Sequence, residues 1–303
     1  MRWATIWIAL VVFGCGAEAD PPEPYVVASG QGRAFALAVN DDALFWSGDT
    51  GVRRMSLPDG DVRWIGDGTP SLAMAVDDER VYWAETDRVV WAPVEGGTPR
   101  LIATDQRCVF AMATDGRRLF WASIIDGSVW SWDSETGVIL DIAVSQNNPT
   151  SLAVHDDHVF WTTGDGRVTS MRTDGSRPRF LADDQPWLSS VAVDGERVYF
   201  ASGTGSIRSV SRTGGSVDRV ADGMPLATFA GGIAADDDDV YWITAMPDDS
   251  LGGEVRYLEH GEPAADVVGR TRATTVALDR DTIYWTTADG DVVARKKGHS
   301  DAY

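Results

Sequence analysis

Cysteine is nearly absent: Cys15 and Cys108 are the only two in 303 residues. That excludes a disulfide-dense scaffold and a cysteine-rich zinc site. Four histidines leave little material for a histidine cluster, and no metal site is expected. Basic residues are scarce as well, 26 against 46 acidic, for a formal charge of −20. Phosphate recognition needs clustered Lys and Arg, so this balance argues against nucleic acid and against adsorption to anionic headgroups. No Gly-x-Ser-x-Gly, His-Glu-x-x-His or phosphate loop occurs, so no catalytic residue and no cofactor is assigned. No apolar run reaches the ~20 residues of a membrane-spanning helix. What is present is 44% apolar residues, enough for a packed core, and 13 tryptophans whose spacing organises the chain.

Residues 3–13 form an apolar run behind Arg2, the length of a secretory signal's apolar region. The run ends in Val12-Phe13-Gly14-Cys15, which resembles the signal of bacterial lipoproteins. The resemblance implies cleavage before Cys15 and lipid on its sulfur; acyl chains contribute about 0.8 kcal/mol per buried methylene, and two or more anchor stably. Gly16 after the cysteine, by the same resemblance, implies the outer membrane, on its periplasmic or its surface side. The alternative is an ordinary cleaved signal with Cys15 incidental. Residues 16–24 carry three prolines and no apolar periodicity, and they read as an extended tether of about 3.1 Å per residue. The expected organisation is therefore a signal at 1–14, a lipidated Cys15 with its tether to 24, and a folded body over 25–303. Contact with the membrane is then through the lipid alone. Cys108 is left as a free thiol, a Cys15–Cys108 bridge being the alternative.

An aromatic pair recurs along the body: Phe45-Trp46, Tyr82-Trp83, Phe120-Trp121, Phe160-Trp161, Tyr199-Phe200, Tyr241-Trp242 and Tyr284-Trp285. The second members are 37 to 43 residues apart, and an aliphatic residue precedes each pair. Eight positions before the second aromatic stands Ala38, Ala75, Ala113, Ala153, Ala192, Ala234 or Ala277. Six before it stands Asn40, Asp77, Asp115, His155, Asp194, Asp236 or Asp279. Each copy reads as a small apolar strand, a tight acidic turn, the aromatic strand, a glycine turn, an alternating strand, a second glycine turn and a short fourth strand. Four short strands per period of about 40 residues predict an all-β fold, a seven-bladed β-propeller of four-stranded antiparallel blades. Small alanines suit the crowded axis. Bulky aromatics suit a strand covered on both faces, each ring contributing roughly 1.5–3 kcal/mol when buried.

The seventh copy has strands at 274–278, 282–286 and 291–295 but no fourth. Residues 25–29, Tyr-Val-Val-Ala-Ser, resemble the fourth strands Arg100-Leu101-Ile102-Ala103 and Asp218-Arg219-Val220-Ala221. The amino-terminal strand is expected to complete the last blade and remove its open edge.

The repeats resemble the Tyr-Trp-Thr-Asp repeats of low-density-lipoprotein-receptor propellers and their bacterial relatives, over residues 25–303. Tyr284-Trp285-Thr286-Thr287 and Phe160-Trp161-Thr162-Thr163 come closest. The fourth-position Asp is replaced in every copy, by Gly48, Glu85, Ser123, Thr163, Ser202, Thr244 or Thr287, and those receptor propellers have six blades. The nearer likeness is to uncharacterised bacterial propeller lipoproteins.

In propellers the second-to-third-strand loops and the connections between blades share one rim, the default binding face. Its candidates are departures from the repeat. The sixth copy has the longest second-to-third loop, 245–252 with Asp248 and Asp249, beside a long connection at 222–229. Trp187 lies in another connection, where an exposed indole stacks on sugars or anchors a peptide; the alternative is a cap on the blade core. Asn147 and Asn148 occupy the preceding connection, as polar ligand contacts or as turn residues before Pro149. Arg107 and Glu85 also reach this rim. Asp236 to Asp239 lack a calcium-loop pattern and read as a solvated turn. His155 and His158 lack a third ligand. The leading reading is a monomeric, lipid-anchored envelope module that binds a protein or glycan. The runner-up is a periplasmic hydrolase or lyase with a composite site. An enzyme would cluster perturbed charged groups in the central funnel, and a binding module would expose an aromatic or apolar rim patch.

Overall fold

The computed structural model describes residues 22–298 except 50, 68–69, 203, 222–231, 247–248, 261 and 263. Cys15 and most of the tether lie outside these residues. Every regular element among them is a strand. The chain opens with β1 (Tyr25–Ala28). Five four-stranded antiparallel sheets follow in sequence order. The first holds β2 (Ala34–Val39), β3 (Ala43–Gly48), β4 (Gly51–Ser56) and β5 (Val62–Asp67). The second holds β6 (Met74–Val76), β7 (Arg80–Ala84), β8 (Val89–Pro93) and β9 (Arg100–Ala103). The third holds β10 (Val109–Thr114), β11 (Arg118–Ser123), β12 (Ser128–Asp133) and β13 (Ile139–Ala143). The fourth holds β14 (Pro149–His155), β15 (His158–Thr163), β16 (Val168–Arg172) and β17 (Arg179–Ala182). The fifth holds β18 (Leu188–Val193), β19 (Arg197–Ser202), β20 (Ile207–Ser211) and β21 (Asp218–Ala221).

The remaining strands are β22 (Ile233–Ala235), β23 (Asp239–Met246), β24 (Asp249–Glu259), β25 (Asp266–Leu278), β26 (Thr282–Thr287) and β27 (Val292–Lys296). With β1 they form one seven-stranded sheet in the order β1-β27-β26-β25-β24-β23-β22. The start of β25 pairs with β24 and its end with β26, so one strand serves both the sixth and the seventh copy. The first-strand residues expected at 274–278 are thus the second half of a longer strand. Arg272, with φ of 55°, marks the bend between the halves. The expected loop 245–252 is corrected too. β23 runs on to Met246 and β24 begins at Asp249, with Met246 paired to Asp249 across an irregularity after Ala245. The hairpin thus carries one further pair beyond Ala245 and Gly253, that of Met246 with Asp249.

Period-two alternation explains the aromatic pair. Its two members point to opposite faces of their strand. The first aromatic of each copy therefore packs with the second aromatic of the next. Phe45 shares a core cluster with Trp83, Tyr82 with Trp121, Phe120 with Trp161 and Phe160 with Phe200. Tyr199 shares one with Trp242 and Tyr241 with Trp285. The cycle returns to its start, because Tyr284 packs with Trp46 in a cluster that also holds Ala28, Val292 and Ala294. First strands follow the same circuit, each touching the next and β25 touching β2. β1 lies antiparallel on β27, Tyr25 opposite Ala294 and Val26 opposite Val293, as the closure expected from residues 25–29 requires.

In every copy but the fourth, where it is His155, the polar residue six before the second aromatic caps the first turn. Asp77 Oδ1 accepts the amides of Glu79 and Arg80 at 2.8 and 2.7 Å, and Asn40 Oδ1 accepts that of Ala43 at 2.9 Å. The other oxygen of Asp77 takes the Tyr82 hydroxyl at 2.6 Å, and Asp279 takes that of Tyr284 at 2.8 Å. Burial, and then the carboxylate, push both phenols well above their ordinary pKa.

Asp236 caps its turn in the same way, and its Oδ2 also receives Lys297 Nζ at 2.6 Å, from a lysine side chain only 3% exposed. Burial raises the Asp236 pKa, but Lys297 and the turn amides outweigh it and hold the carboxyl below the usual range. A depressed carboxylate contributes stability that is complete above the unfolded value of about 3.9 and is lost as pH falls through the folded value. Lys297→Met is expected to cost about 2 kcal/mol at pH 7, below the full cost of a buried pair because Asp236 is partly exposed. The deficit should shrink as pH falls below about 4. Urea titrations at pH 7 and pH 3 check this, and an equal deficit at both would contradict it.

Candidate functional site

The connections between sheets and the second-to-third-strand turns meet on one rim. The Gln106 amide donates to the Asp87 carbonyl, that of Gln146 to Gly127 and that of Gln185 to Gly166. The connections share a local geometry. Asp105, Ser145 and Asp184 have φ of 55–59°, and Cys108, Asn148 and Trp187 have φ of 52, 51 and 34°. The glutamine between them reaches into the core. Gln106 Oε1 accepts Trp121 Nε1 at 2.7 Å, and Gln146 Oε1 accepts Trp161 Nε1 at 3.1 Å. In the fifth copy the second aromatic is Phe200, and Gln185 Oε1 has no partner. Glutamine stands 15 residues before the second aromatic in four copies, at Gln31, Gln106, Gln146 and Gln185. This spacing is a sequence signal that the aromatic and alanine offsets overshadow.

Arg107, Asn147, Asn148 and Trp187 accordingly lie on successive connections of this rim. All four are exposed, Trp187 at 72%. The indole does not cap the blade core. Val144, on the preceding connection, and Ile125, in the β11–β12 turn, are exposed on the same rim, and so is Leu72 on the connection before β6, three sheets away. Arg107 Nη2 lies 3.7 Å from Asp126. Glu85 sits in the turn after β7, where its side chain pairs with Arg88. Asp249 begins β24, and Asp248 and the 222–229 connection lie outside the described residues. The rim aligns these residues along an arc, and none of them lines the cavity described next. His155 and His158 pair with the neighbouring Asp156 and Asp157. Among the described residues no three His, Cys, Asp or Glu side chains are placed to hold a metal ion.

A cavity of about 790 Å³ opens on the opposite rim, where the first-to-second and third-to-fourth turns lie, between the fifth sheet and the strands of the sixth copy. Asp194, Glu196, Asp218, Asp237, Glu259 and Glu262 line it, against Arg197 and Arg219. Arg197 is held by Asp218 at 2.5 Å and by Ser209 at 2.9 Å. Asp237 Oδ1 accepts the Gly195 amide at 2.9 Å and so ties the two copies together. Tyr199 stacks on His260, the ring centroids 5.8 Å apart, and its hydroxyl is 2.7 Å from His260 Nε2. Burial, followed by the Asp194 carboxylate, pushes the Tyr199 pKa well up. In the second copy Trp132, one sheet along, lies edge-on against Tyr82 at 6.2 Å. Here the smaller His260 ring meets Tyr199. Sequence reasoning put the binding face on the other rim and missed this cleft, because Asp194 is indistinguishable by position from the turn residues of four other copies.

No family model and no curated protein sequence matches the chain. Solved structures do. The computationally designed Ika8 protein is similar at 15% identity and a TM-score of 0.67, over 88% of this chain and 84% of that one. BamB from Moraxella catarrhalis is similar at 14% identity and 0.62, over 88% and 86%. A chain of a nidogen/laminin complex is similar at 17% identity and 0.52, over 63% and 81%. At these identities the likeness shows the fold alone, and the fold is that of a β-propeller.

Proposed function

We propose that this is a seven-bladed, lipid-anchored propeller of the bacterial cell envelope that holds a protein or glycan on the rim carrying Trp187. In this reading the seven-stranded sheet is two blades sharing β25, and β1 is the outer strand of the last. Residues 1–14 are the signal, Cys15 carries the lipid at the outer membrane, and 16–24 form the tether. The rim reading rests on one observation: a 72% exposed indole held at positive φ on a rim that also exposes Val144 and Ile125 in the preceding copies. An exposed indole fixed on a rim suits an anchor for a partner, and aromatic anchors dominate binding energy. The propeller neighbours support a protein-binding or scaffold role, one of them having been solved within a nidogen/laminin complex.

The test places a photocrosslinking phenylalanine at position 187 or at Val62, an exposed position on the outer strand β5. Cells also receive an alkynyl fatty acid. A discrete adduct from position 187 alone, on a lipid-labelled protein whose label is lost in Cys15→Ser, is the expected result. Equal adducts from both positions would refute the rim, and label surviving Cys15→Ser would refute the anchor.

A further inference from the structure

The cleft opposite the Trp187 rim holds a carboxylate that the fold does not satisfy. Asp194 is 3% exposed. Its Oδ1 caps the turn, accepting the amides of Glu196 and Arg197 at 2.7 and 2.5 Å. Its Oδ2 occupies the place that accepts the Tyr82 and Tyr284 hydroxyls in the second and seventh copies. In the fifth copy the Tyr199 hydroxyl lies 2.7 Å from His260 Nε2, and with Nε2 as the acceptor it donates there instead of to Asp194. Oδ2 accepts no hydrogen bond, and His260 Nε2 stands 3.6 Å away. Buried charged acceptors without donors are rare, because their desolvation is uncompensated.

The surroundings select the missing donor. Six carboxylates face two guanidiniums, one of which is engaged by Asp218, and Glu196, Glu259 and Glu262 are exposed at the mouth. The field favours a cation. A bare divalent ion lacks a converging ligand set among the described residues. Val220, Val240 and Leu258 add an apolar lining that suits a hydrocarbon stem. The volume lies within the range of small-ligand sites, about 300–1,000 Å³.

We propose that this cleft binds an alkylammonium group, supplied either by a lysine side chain or by a free polyamine. An ammonium carries three N–H donors. One directed at the Tyr199 oxygen returns the phenolic proton to Asp194 Oδ2, restoring the arrangement of Tyr82 and Tyr284. Another serves His260 Nε2, 34% exposed on the same wall, and the charge faces Glu259 and Glu262 at the mouth.

The test titrates the purified full chain with spermidine and with a tetralysine peptide by calorimetry at fixed moderate salt. Saturable binding near one equivalent by at least one probe is expected. Asp194→Asn should weaken it about tenfold or more, the scale of one charge-assisted hydrogen bond. That variant keeps the turn cap, since Asn40 caps the first copy's turn with the same amide oxygen. The double variant Glu259→Gln and Glu262→Gln, at exposed positions, should weaken binding about threefold at low salt, as expected for screened charges. Tighter binding of the peptide identifies a lysine-bearing partner, and tighter binding of spermidine a polyamine; either supports the proposal. No saturable binding of either probe, or binding unchanged in Asp194→Asn and in the double variant, would overturn it.

Discussion

Removal of residues 16–30 is expected to lower the melting temperature by about 6–20 °C and to drive the protein into aggregates. The deletion takes out β1, whose pairing with β27 is the outer wall of the last sheet. It also removes Ala28 from the cluster that holds Tyr284 against Trp46, and the Pro22 carbonyl that accepts Arg295 Nε at 3.0 Å. Lost ladder bonds at about 1 kcal/mol each, with the apolar contact of Val27 and Ala28, sum to roughly 3–5 kcal/mol. Against a total stability of about 5–15 kcal/mol that is a large fraction, and at about 2–4 °C per kcal/mol it gives the stated shift. The exposed edge of β27 then templates association between molecules. Thermal denaturation and light scattering of the two chains check both effects. A truncated chain melting cooperatively at the parent temperature would contradict the closure.

Trp121→Ala is expected to cost about 4–6 kcal/mol, from its cavity and from the acceptor that it orphans. Trp121 is fully buried, stacks on Trp130 at 6.4 Å, and donates to Gln106 Oε1. Trp121→Phe separates the two contributions. It keeps most of the ring volume but recreates the situation of the fifth copy, where Phe200 leaves Gln185 Oε1 without a donor. A cost of about 1–3 kcal/mol is expected for it, mostly from the orphaned amide. Gln106→Leu in the Trp121→Phe background should recover part of that cost. In the fifth copy Gln185→Leu should be close to neutral in the parent protein, because that acceptor is already unpaired. Chemical unfolding of the set decides the matter, and a Trp121→Phe variant as stable as the parent would show that the glutamine contact contributes little.

These expectations rest on features of unequal legibility. The aromatic pairs, the alanines and the turn acids recur at fixed offsets because each inter-sheet core needs the same parts. The cyclic closure was readable as well, since a copy lacking its fourth strand must find one elsewhere. The fusion through β25 was not, because nothing in 266–278 distinguishes one bent strand from two. Residues 245–252 looked like a loop because length was the only signal there, and hairpin extension and loop insertion lengthen a chain alike. Trp187 was legible as a residue outside the repeat, although only coordinates show that its indole is in solvent. The acidic cleft was invisible. It arises from His260, one sheet along, diverting the Tyr199 hydroxyl from Asp194, and such a contact between copies leaves no trace in either copy alone.

The central claim is a ring of interlocked sheets whose two ends meet. Native-state hydrogen exchange on the β1 and β27 amides tests it most directly. If the ring is closed, the hydrogen-bonded amides of Tyr25–Ala28 exchange as slowly as those of β27, and both exchange only through global unfolding. If β1 exchanges at the rate of a free chain while β19 and β26 stay protected, the ends do not meet and the account fails.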